Sequence, residues 1–336
     1  MDNMNLKKLA KMLNLSVSTV SRALRDSHEI SRETKERVKA LAIKSGFQPN
    51  PHASSLRQNK SKTIAVIVPE IQNNFFAQAM HGVEEVAQQK GYHVLIYLTH
   101  EDYAKEKDFI NVLRNGRVDG LMISVSNTTT NFEHLQTCQK AGMPLVLFDR
   151  VNESMKVPRI TTDDEGAAFN ATEHLIKRGC KKIVFLSMAR TLSISSRRRS
   201  GYLKALKKHG MAGKEMVIEC GHDDLSNRNL IKEVLLSMPK PDGIFAAVEK
   251  FAINTYEVCR ELQISIPQQL KVISFSNLSA AALFDPPLST IVQPAYEMGK
   301  EATSILFRII EKKKLLPREK KLTIHSYIVE RKSTAK

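Results

Sequence analysis

A short segment near the N-terminus carries side chains that could read DNA. It reads SVSTVSRAL over residues 16–24, and its polar members are Ser16, Ser18, Thr19, Ser21 and Arg22. A helical repeat places these residues opposite the apolar Val20 and Leu24. Such a face can enter a major groove about 12 Å wide, where arginine bonds to guanine and hydroxyls reach phosphates or base edges. The pattern favours sequence-specific DNA binding over the alternative, an ordinary three-helix unit with a polar surface.

The distribution of charge agrees with a polyanionic partner. The chain of 336 residues has a formal net charge of +16. Residues 1–62 contain 13 Lys and Arg against 5 Asp and Glu, which is +8 and therefore half of the excess. A compact basic head on a nearly neutral body is typical of a DNA-binding protein, although a basic surface kept for solubility is the alternative.

Three short helical patterns position the polar face. Asn5, Ser16 and Ser31 stand where N-caps are expected, each ahead of an apolar repeat. A small core is predicted from Leu6, Leu9, Leu13, Val20 and Leu24, with Ala10 where two helices approach closely. Residues 48–62 lack a core pattern and contain two prolines, so a linker is predicted there.

From Thr63 onward, apolar strands alternate with amphipathic helices. The predicted strands are 63–68, 93–98, 119–124, 144–149, 182–187, 242–248 and 270–275, and a last strand is expected at 323–330. The predicted helices are 73–90, 103–115, 132–141, 164–178, 200–209, 226–237, 250–262 and 295–312. Continuous apolar strands between helices predict α/β parallel sheets covered on both faces, in one large sheet or two lobes. Ligands of such sheets bind beyond the carboxyl ends of the strands.

Several classes of protein are disfavoured. The chain has no G-x-S-x-G, P-loop or G-x-G-x-x-G motif, and its four cysteines lack metal-ligand spacing. We therefore predict no catalytic residue, no metal and no cofactor, with His81, His100 and His174 at the surface. The N-terminus does not read as a signal peptide, and no apolar run approaches about 18 residues. The expected location is the bacterial cytoplasm, at the nucleoid; a purely sugar-binding protein is opposed by the basic head.

The N-terminal segment resembles the head of the lactose/galactose repressor (LacI/GalR) family. The matching motifs are S-V-S-T-V-S-R-A-L, I-S-x-x-T-x-x-x-V and G-F-x-P-N. The resemblance implies that Val17, Ser18 and Arg22 read bases. It places Ser16, Thr19, Ser21 and Asn50 near the DNA backbone, and the full set of implied DNA-binding residues adds Asn5, Ala53, Leu56 and Arg57.

The same resemblance gives the linker a role. In the family, the stretch equivalent to residues 53–58 forms a hinge helix when two subunits occupy the operator, and a leucine, here Leu56, enters the minor groove. The family therefore implies a homodimer on a pseudo-palindromic operator. Because no heptad repeat follows the last strand, a tetramer built on a coiled coil is not expected.

The remainder resembles a periplasmic-binding-protein-like core of two lobes with an effector between them. Crossovers are placed near residues 161, 292 and 322. The division is then 1–50 for the head, 51–62 for the linker, 63–161 with 293–322 for the N-lobe, and 162–292 with 323–336 for the C-lobe. The implied effector-binding residues are Asn74, Phe75, Phe76, Asp149, Asp163, Arg198, Glu249 and Ser276; the two phenylalanines and Arg198 also fit core or surface roles.

Two departures from the family motif concern the effector. Ser276 replaces an aspartate that commonly follows the last C-lobe strand, and Val248–Glu249 replaces Asn-Asp. A serine cannot accept the bidentate hydrogen bonds of a carboxylate. A pocket richer in arginine and poorer in aspartate predicts an oligosaccharide, a sugar acid or a phosphorylated sugar, with Glu249 as an acceptor. The sequence thus predicts a repressor with a carbohydrate-related effector; the alternative is an activator or dual regulator controlled by a protein partner or a non-sugar ligand.

Overall fold

The computed structural model describes residues 4–47, 60–188 and 192–335. The chain divides into two compact units, Met1–Ser61 and Lys62–Lys336. The predicted DNA contacts at Asn50, Ala53, Leu56 and Arg57 lie outside the described residues. Among the described helices, none has both the length and the apolar character needed to cross a membrane.

The first unit contains three helices: α1 (Leu6–Leu13), α2 (Val17–Leu24) and α3 (Arg32–Lys44). The predicted caps are present, since Asn5, Ser16 and Ser31 accept hydrogen bonds from the backbone N–H groups three residues later. The buried core comprises Leu9, Ala10, Val20, Ala23, Val38 and Ala42. Leu6, Leu13 and Leu24 pack around it and are partly buried.

Two six-stranded sheets form the second unit. The N-lobe sheet contains β1 (Thr63–Val68), β2 (His93–Leu98), β3 (Gly120–Ile123), β4 (Leu145–Phe148), β5 (Arg159–Thr162) and β11 (Lys321–Ile324), in the order β11-β5-β4-β3-β1-β2. The C-lobe sheet contains β6 (Ile183–Ser187), β7 (Met216–Glu219), β8 (Gly243–Ala246), β9 (Lys271–Phe275), β10 (Ser289–Val292) and β12 (Tyr327–Val329), in the order β12-β10-β9-β8-β6-β7. All pairings are parallel except β10 with β12. The α/β two-lobe architecture predicted from the sequence is confirmed.

Helices cover both faces of each sheet. They are α4 (Asn74–Gln89), α5 (Tyr103–Leu113), α6 (Glu133–Lys140), α7 (Asp164–Lys177), α8 (Ser193–Lys208), α9 (Asp224–Leu236), α10 (Glu249–Glu261), α11 (Ala295–Ile310) and the short α12 (Pro317–Lys320). Short 3₁₀ turns occupy Ser279–Leu283 and Lys332–Thr334. The helices α7 and α8 approach closely because Gly201 has no side chain: a Cβ there would overlap the carbonyl oxygen of Glu165.

Some elements differ from the sequence-based expectation. The strands β5 and β7 were not predicted, because β5 is short and threonine-rich and β7 is a partly exposed edge strand of four residues. Helix α8 begins at Ser193 rather than near residue 200. The expected strand 323–330 is two strands, one in each sheet, so the chain crosses between lobes after Ile324. Thr162 likewise belongs to the N-lobe sheet, just past the predicted crossover.

One histidine that the sequence places at the surface is buried in the structure. His174 was predicted at the surface, but it is buried on α7, with Nε2 2.8 Å from the Thr334 hydroxyl and Nδ1 3.3 Å from the Glu330 carboxylate. The C-terminal turn covers this side of the helix, which no local pattern reveals. Cys138, Cys180, Cys220 and Cys259 are all free and buried, as packing residues would be.

Candidate DNA-binding face and interlobe cleft

The polar face of α2 is open to solvent. Ser16, Val17 and Ser18 are exposed at its start, where the helix N-terminus presents free N–H groups. The Ser16 hydroxyl lies 2.7 Å from that of Ser18 and 2.8 Å from that of Thr19. A cluster of hydroxyls at a positive helix end is suited to phosphate oxygens, while Val17 offers an apolar contact.

Arg22 extends from the same face and is held by a neighbour. Its guanidinium nitrogen lies 2.7 Å from a Glu29 carboxylate oxygen, and both side chains are about half exposed. Ser21 accepts a hydrogen bond from Arg25 at 3.0 Å. An exposed ion pair of this kind contributes little to stability, so Arg22 can exchange Glu29 for a guanine edge or a phosphate at small cost.

The second candidate site lies between the two lobes, at the carboxyl ends of their strands. Its inner pocket has a volume of about 30 Å³, room for about one or two water molecules. The lining residues include Phe75, Phe76, Asp149, Arg150, Arg198, Glu249, Phe275, Ser276 and Gln293. Of the effector residues implied by the sequence, six therefore line this pocket: Phe75, Phe76, Asp149, Arg198, Glu249 and Ser276.

Arg198 is the most buried cation of the pocket, with 2% of its surface exposed. Its Nε donates to an Asp164 carboxylate oxygen at 2.7 Å and a terminal nitrogen donates to the Ala247 carbonyl at 2.6 Å. The guanidinium lies 3.8 Å from the centre of the Phe275 ring. Burial raises the pKa of Asp164 even beside this arginine. Arg198 is thus neutralised by a protein carboxylate.

Asp149 is the carboxylate of the pocket without an assigned partner. It is 4% exposed, follows β4 in a left-handed conformation (φ 59°), and its side chain makes no hydrogen bond with any residue of the described segments. Burial is the main reason that its pKa rises from 3.8 to about 6. A buried acceptor of this kind is expected at a ligand site rather than in a structural role.

We expect Asp149→Asn to stabilise the protein at neutral pH. Because the pKa is higher in the folded state than in the unfolded state, ionisation costs folding energy as the pH rises from about 4 to about 6. The shift corresponds to about 2–3 kcal/mol at pH 7, and asparagine tolerates the left-handed backbone. Urea denaturation should show D149N to be more stable at pH 7 and equal to the parent near pH 4. The exposed control Asp108→Asn should change neither curve, and a less stable D149N at pH 7 would contradict the assignment.

A polar bridge joins the lobes beside the inner pocket. The Glu249 carboxylate, at the start of α10, accepts from Asn74 Nδ2 at 3.0 Å and from the Ser276 hydroxyl at 2.8 Å. Asn74 belongs to the N-lobe and the other two belong to the C-lobe. The Gln78 and Asn277 side chains bond to each other across the same gap at 2.8 Å. The Ser276 hydroxyl is therefore engaged by the Glu249 carboxylate, and that carboxylate lies beside the position where the family motif has an aspartate.

Asp163 does not join this pocket. Its carboxylate accepts from the backbone N–H of Ser326 at 2.8 Å and lies 3.0 Å from His325 Nδ1, so it holds the last crossover. Its neighbour Asp164 faces Arg198 instead. Two consecutive aspartates at a helix start point in different directions, and a single sequence does not show which one faces inward. Arg150, which follows Asp149 in a D-R motif of the family, is not among the implied effector residues, yet it lines the pocket and pairs with Glu101 at 2.6 Å. The predicted excess of arginine is consequently offset by Glu101 and Asp164.

A larger outer chamber opens from the same cleft. Its volume is about 520 Å³, within the range of ordinary small-molecule sites. Glu249 and Arg150 line both the chamber and the inner pocket. Asn127 of the N-lobe and His222 of the C-lobe lie 2.5 Å apart at its margin. The cleft therefore offers most of its space outside the bridge formed by Glu249.

The two units together define a class of protein: a helix-turn-helix head attached to a two-lobe ligand-binding body. The family model "Bacterial regulatory proteins, lacI family" matches residues 5–50. A second model, "Periplasmic binding proteins and sugar binding domain of LacI family", matches residues 61–331. The chain belongs to the LacI family and is a DNA-binding transcriptional regulator, as the motifs predicted.

Similar proteins cover nearly the whole chain. The HTH-type transcriptional repressor PurR of Vibrio atlanticus is 30% identical, with 98% of each chain aligned. The HTH-type transcriptional repressor CytR of Escherichia coli K12 is 30% identical over 90% of this chain and 88% of its own. The crystal structure of the lac repressor dimer bound to operator and the anti-inducer ONPF superposes with a TM-score of 0.87 at 20% identity, covering 100% of both chains. At that identity the superposition supports the fold.

Proposed function

We propose that this protein is a homodimeric repressor that binds a pseudo-palindromic operator. A carbohydrate-related effector lowers or raises its affinity for that operator. The observation that carries the proposal is the exposed face of α2, where Ser16, Ser18 and Arg22 project from a capped helix-turn-helix. The lac repressor structure, described as a dimer on its operator, supports a dimer here. PurR and CytR, both described as repressors, support the sign of control.

The division of labour within the head follows from side-chain chemistry. Arg22 and Val17 read base edges, since arginine bonds bidentately to guanine and valine contacts a thymine methyl group. Ser16, Thr19 and the Asn5 cap fix the register on phosphates. Asn50, Ala53, Leu56 and Arg57 act in the linker, with Leu56 as the minor-groove wedge. No catalytic step belongs to this function, which takes place at the nucleoid in the bacterial cytoplasm.

The effector acts through the cleft. Its contacts touch both lobes, so it changes the angle between them and thereby the spacing of the two heads of a dimer. Such coupling requires a difference in effector affinity between the DNA-binding and non-binding arrangements, typically about 1–3 kcal/mol. Residues 61–331 match a family model that includes the sugar-binding domain of LacI-family proteins. This match supports a carbohydrate-related effector.

Selection of bound fragments from a random DNA pool, at stated salt concentrations, tests the proposed function. We expect a symmetric consensus with two half-sites, because a two-fold dimer presents two copies of α2. Arg22→Ala should relax the base preference at one position in each half-site, and Lys44→Ala, at the end of α3, serves as a matched loss of one charge. An asymmetric consensus, or no enrichment at all, would refute the proposed function.

A further inference from the structure

The volume and charges of the outer chamber bear on the kind of effector that fits the cleft. The inference drawn from them rests on the proposed function. The chamber, about 520 Å³, is far larger than the inner pocket of about 30 Å³. Glu249, which accepts hydrogen bonds from Asn74 and Ser276, lines both spaces. A ligand larger than a few waters therefore occupies the chamber, where its neighbours differ from those of the inner pocket.

The ionised side chains of the chamber leave an excess of negative charge. Three ion pairs line it: Glu101 with Arg150 at 2.6 Å, Asp224 with Lys250 at 3.4 Å, and Glu257 with Arg228 at 3.1 Å. Two carboxylates remain. Glu249 is held by the neutral donors Asn74 and Ser276, and Glu70 pairs with no cation among the residues that the structure describes. Among the residues that the structure describes, a ligand in this chamber therefore meets two carboxylates without a counter-charge, one from each lobe.

A buried amide adds an acceptor to the same lining. Asn254 is 2% exposed, and its Nδ2 donates to the Asp224 carboxylate at 3.1 Å. Because an ionised carboxylate only accepts hydrogen bonds, the amide nitrogen of Asn254 must be the atom that faces Asp224. The Oδ1 atom is buried and has no partner within the described chain. An acceptor buried without a donor costs about 1–3 kcal/mol, which a hydrogen-bond donor on a ligand would offset.

We propose that the effector is an amine-bearing sugar of about two rings, whose ammonium group is bound by Glu249 with support from Glu70. Its hydroxyl or amine donors reach Asn254 Oδ1. The charge-assisted hydrogen bond from an ammonium to a carboxylate is about twice as strong as a neutral one. Sugar acids and phosphorylated sugars, which the sequence suggested, are repelled by the same carboxylates. The ammonium displaces the Asn74 and Ser276 donors from Glu249, so binding changes the contact between the lobes.

Three β-1,4-linked disaccharides derived from glucose distinguish these chemistries by calorimetric titration of the full-length protein. They are the β-1,4 glucosamine dimer, cellobiose and cellobionate, which carry positive, zero and negative charge. We expect the glucosamine dimer to bind at least about tenfold more tightly than cellobiose, with cellobionate weakest. Equal affinities, tightest binding of cellobionate, or no binding of the glucosamine dimer at millimolar concentration would overturn the inference.

The variant Glu249→Gln tests whether Glu249 causes the preference for the amine-bearing sugar. This variant should lose at least about tenfold in affinity for the glucosamine dimer and only a few-fold for cellobiose, whose hydroxyls make weaker hydrogen bonds to the carboxylate than an ammonium does. The control Glu261→Gln, on the same helix but paired with Lys232 at the surface, should change neither. An equal loss for both sugars would overturn the role of Glu249. Operator binding without sugar is measured in parallel: its absence in the parent protein refutes the proposed function, whereas loss of the amine preference alone refutes only this inference.

Discussion

Replacing Arg198 with alanine is expected to lower the free energy of unfolding by about 3–5 kcal/mol. The substitution leaves the Asp164 carboxylate, 1% exposed, without its cation and removes the contact with the Phe275 ring. It also deprives the Ala247 carbonyl of its donor. Urea denaturation followed by far-UV circular dichroism measures the change. Failure of R198A to bind an effector would then report lost structure as much as a lost ligand contact.

The neighbouring Arg199 provides the control. It makes no ion pair with a described carboxylate, and Arg199→Ala should change the free energy of unfolding by about 1 kcal/mol or less. The double variant R198M/D164L removes both charges together and should be more stable than R198A, because no uncompensated buried charge remains. A change of less than about 1 kcal/mol in R198A would show that Asp164 is protonated or solvated in the folded protein.

Replacing Leu56 with glycine should weaken operator binding by about 30- to 100-fold, equivalent to about 2–3 kcal/mol. On the proposed function, this side chain enters a minor-groove step of the operator and stabilises the bent duplex. Binding to random DNA, which depends on phosphate contacts, should change little. Fluorescence anisotropy with operator and with scrambled duplexes, at the same salt concentration, measures both affinities.

Ser55→Gly separates the loss of the leucine side chain from the effect of an added glycine. Both substitutions add a glycine and lower helix propensity, by somewhat less at Ser55, but only L56G removes the apolar side chain. We expect S55G to lose a few-fold in operator affinity at most. Equal losses in S55G and L56G would assign the effect to linker order, and unchanged binding by L56G would eliminate the wedge.

Local features of the head could be predicted because each depends on residues close in the chain. A cap such as Ser16 bonds the N–H group three residues later, and an apolar repeat such as Leu9 with Val20 closes a small core. The parallel sheets followed from the alternation of apolar strands and helices. The short strands β5 and β7 escaped because they carry too few apolar residues, and their sheet neighbours, distant in sequence, determine their pairing.

The polar face with Arg22 and the basic head were therefore decided by the sequence itself, through helical spacing and charge. The chemistry of the cleft was decided by the tertiary structure. The family motif implied an effector-binding role for Arg198, and only the packing of α7 against α8 places Asp164 beside it. Glu249 gains its contact with the other lobe from Asn74, and Asp163 its place at the last crossover from Ser326, each more than a hundred positions away. Charge compensation in a cleft depends on which side chains meet there. The spacing of residues along the chain does not reveal which distant side chains will meet.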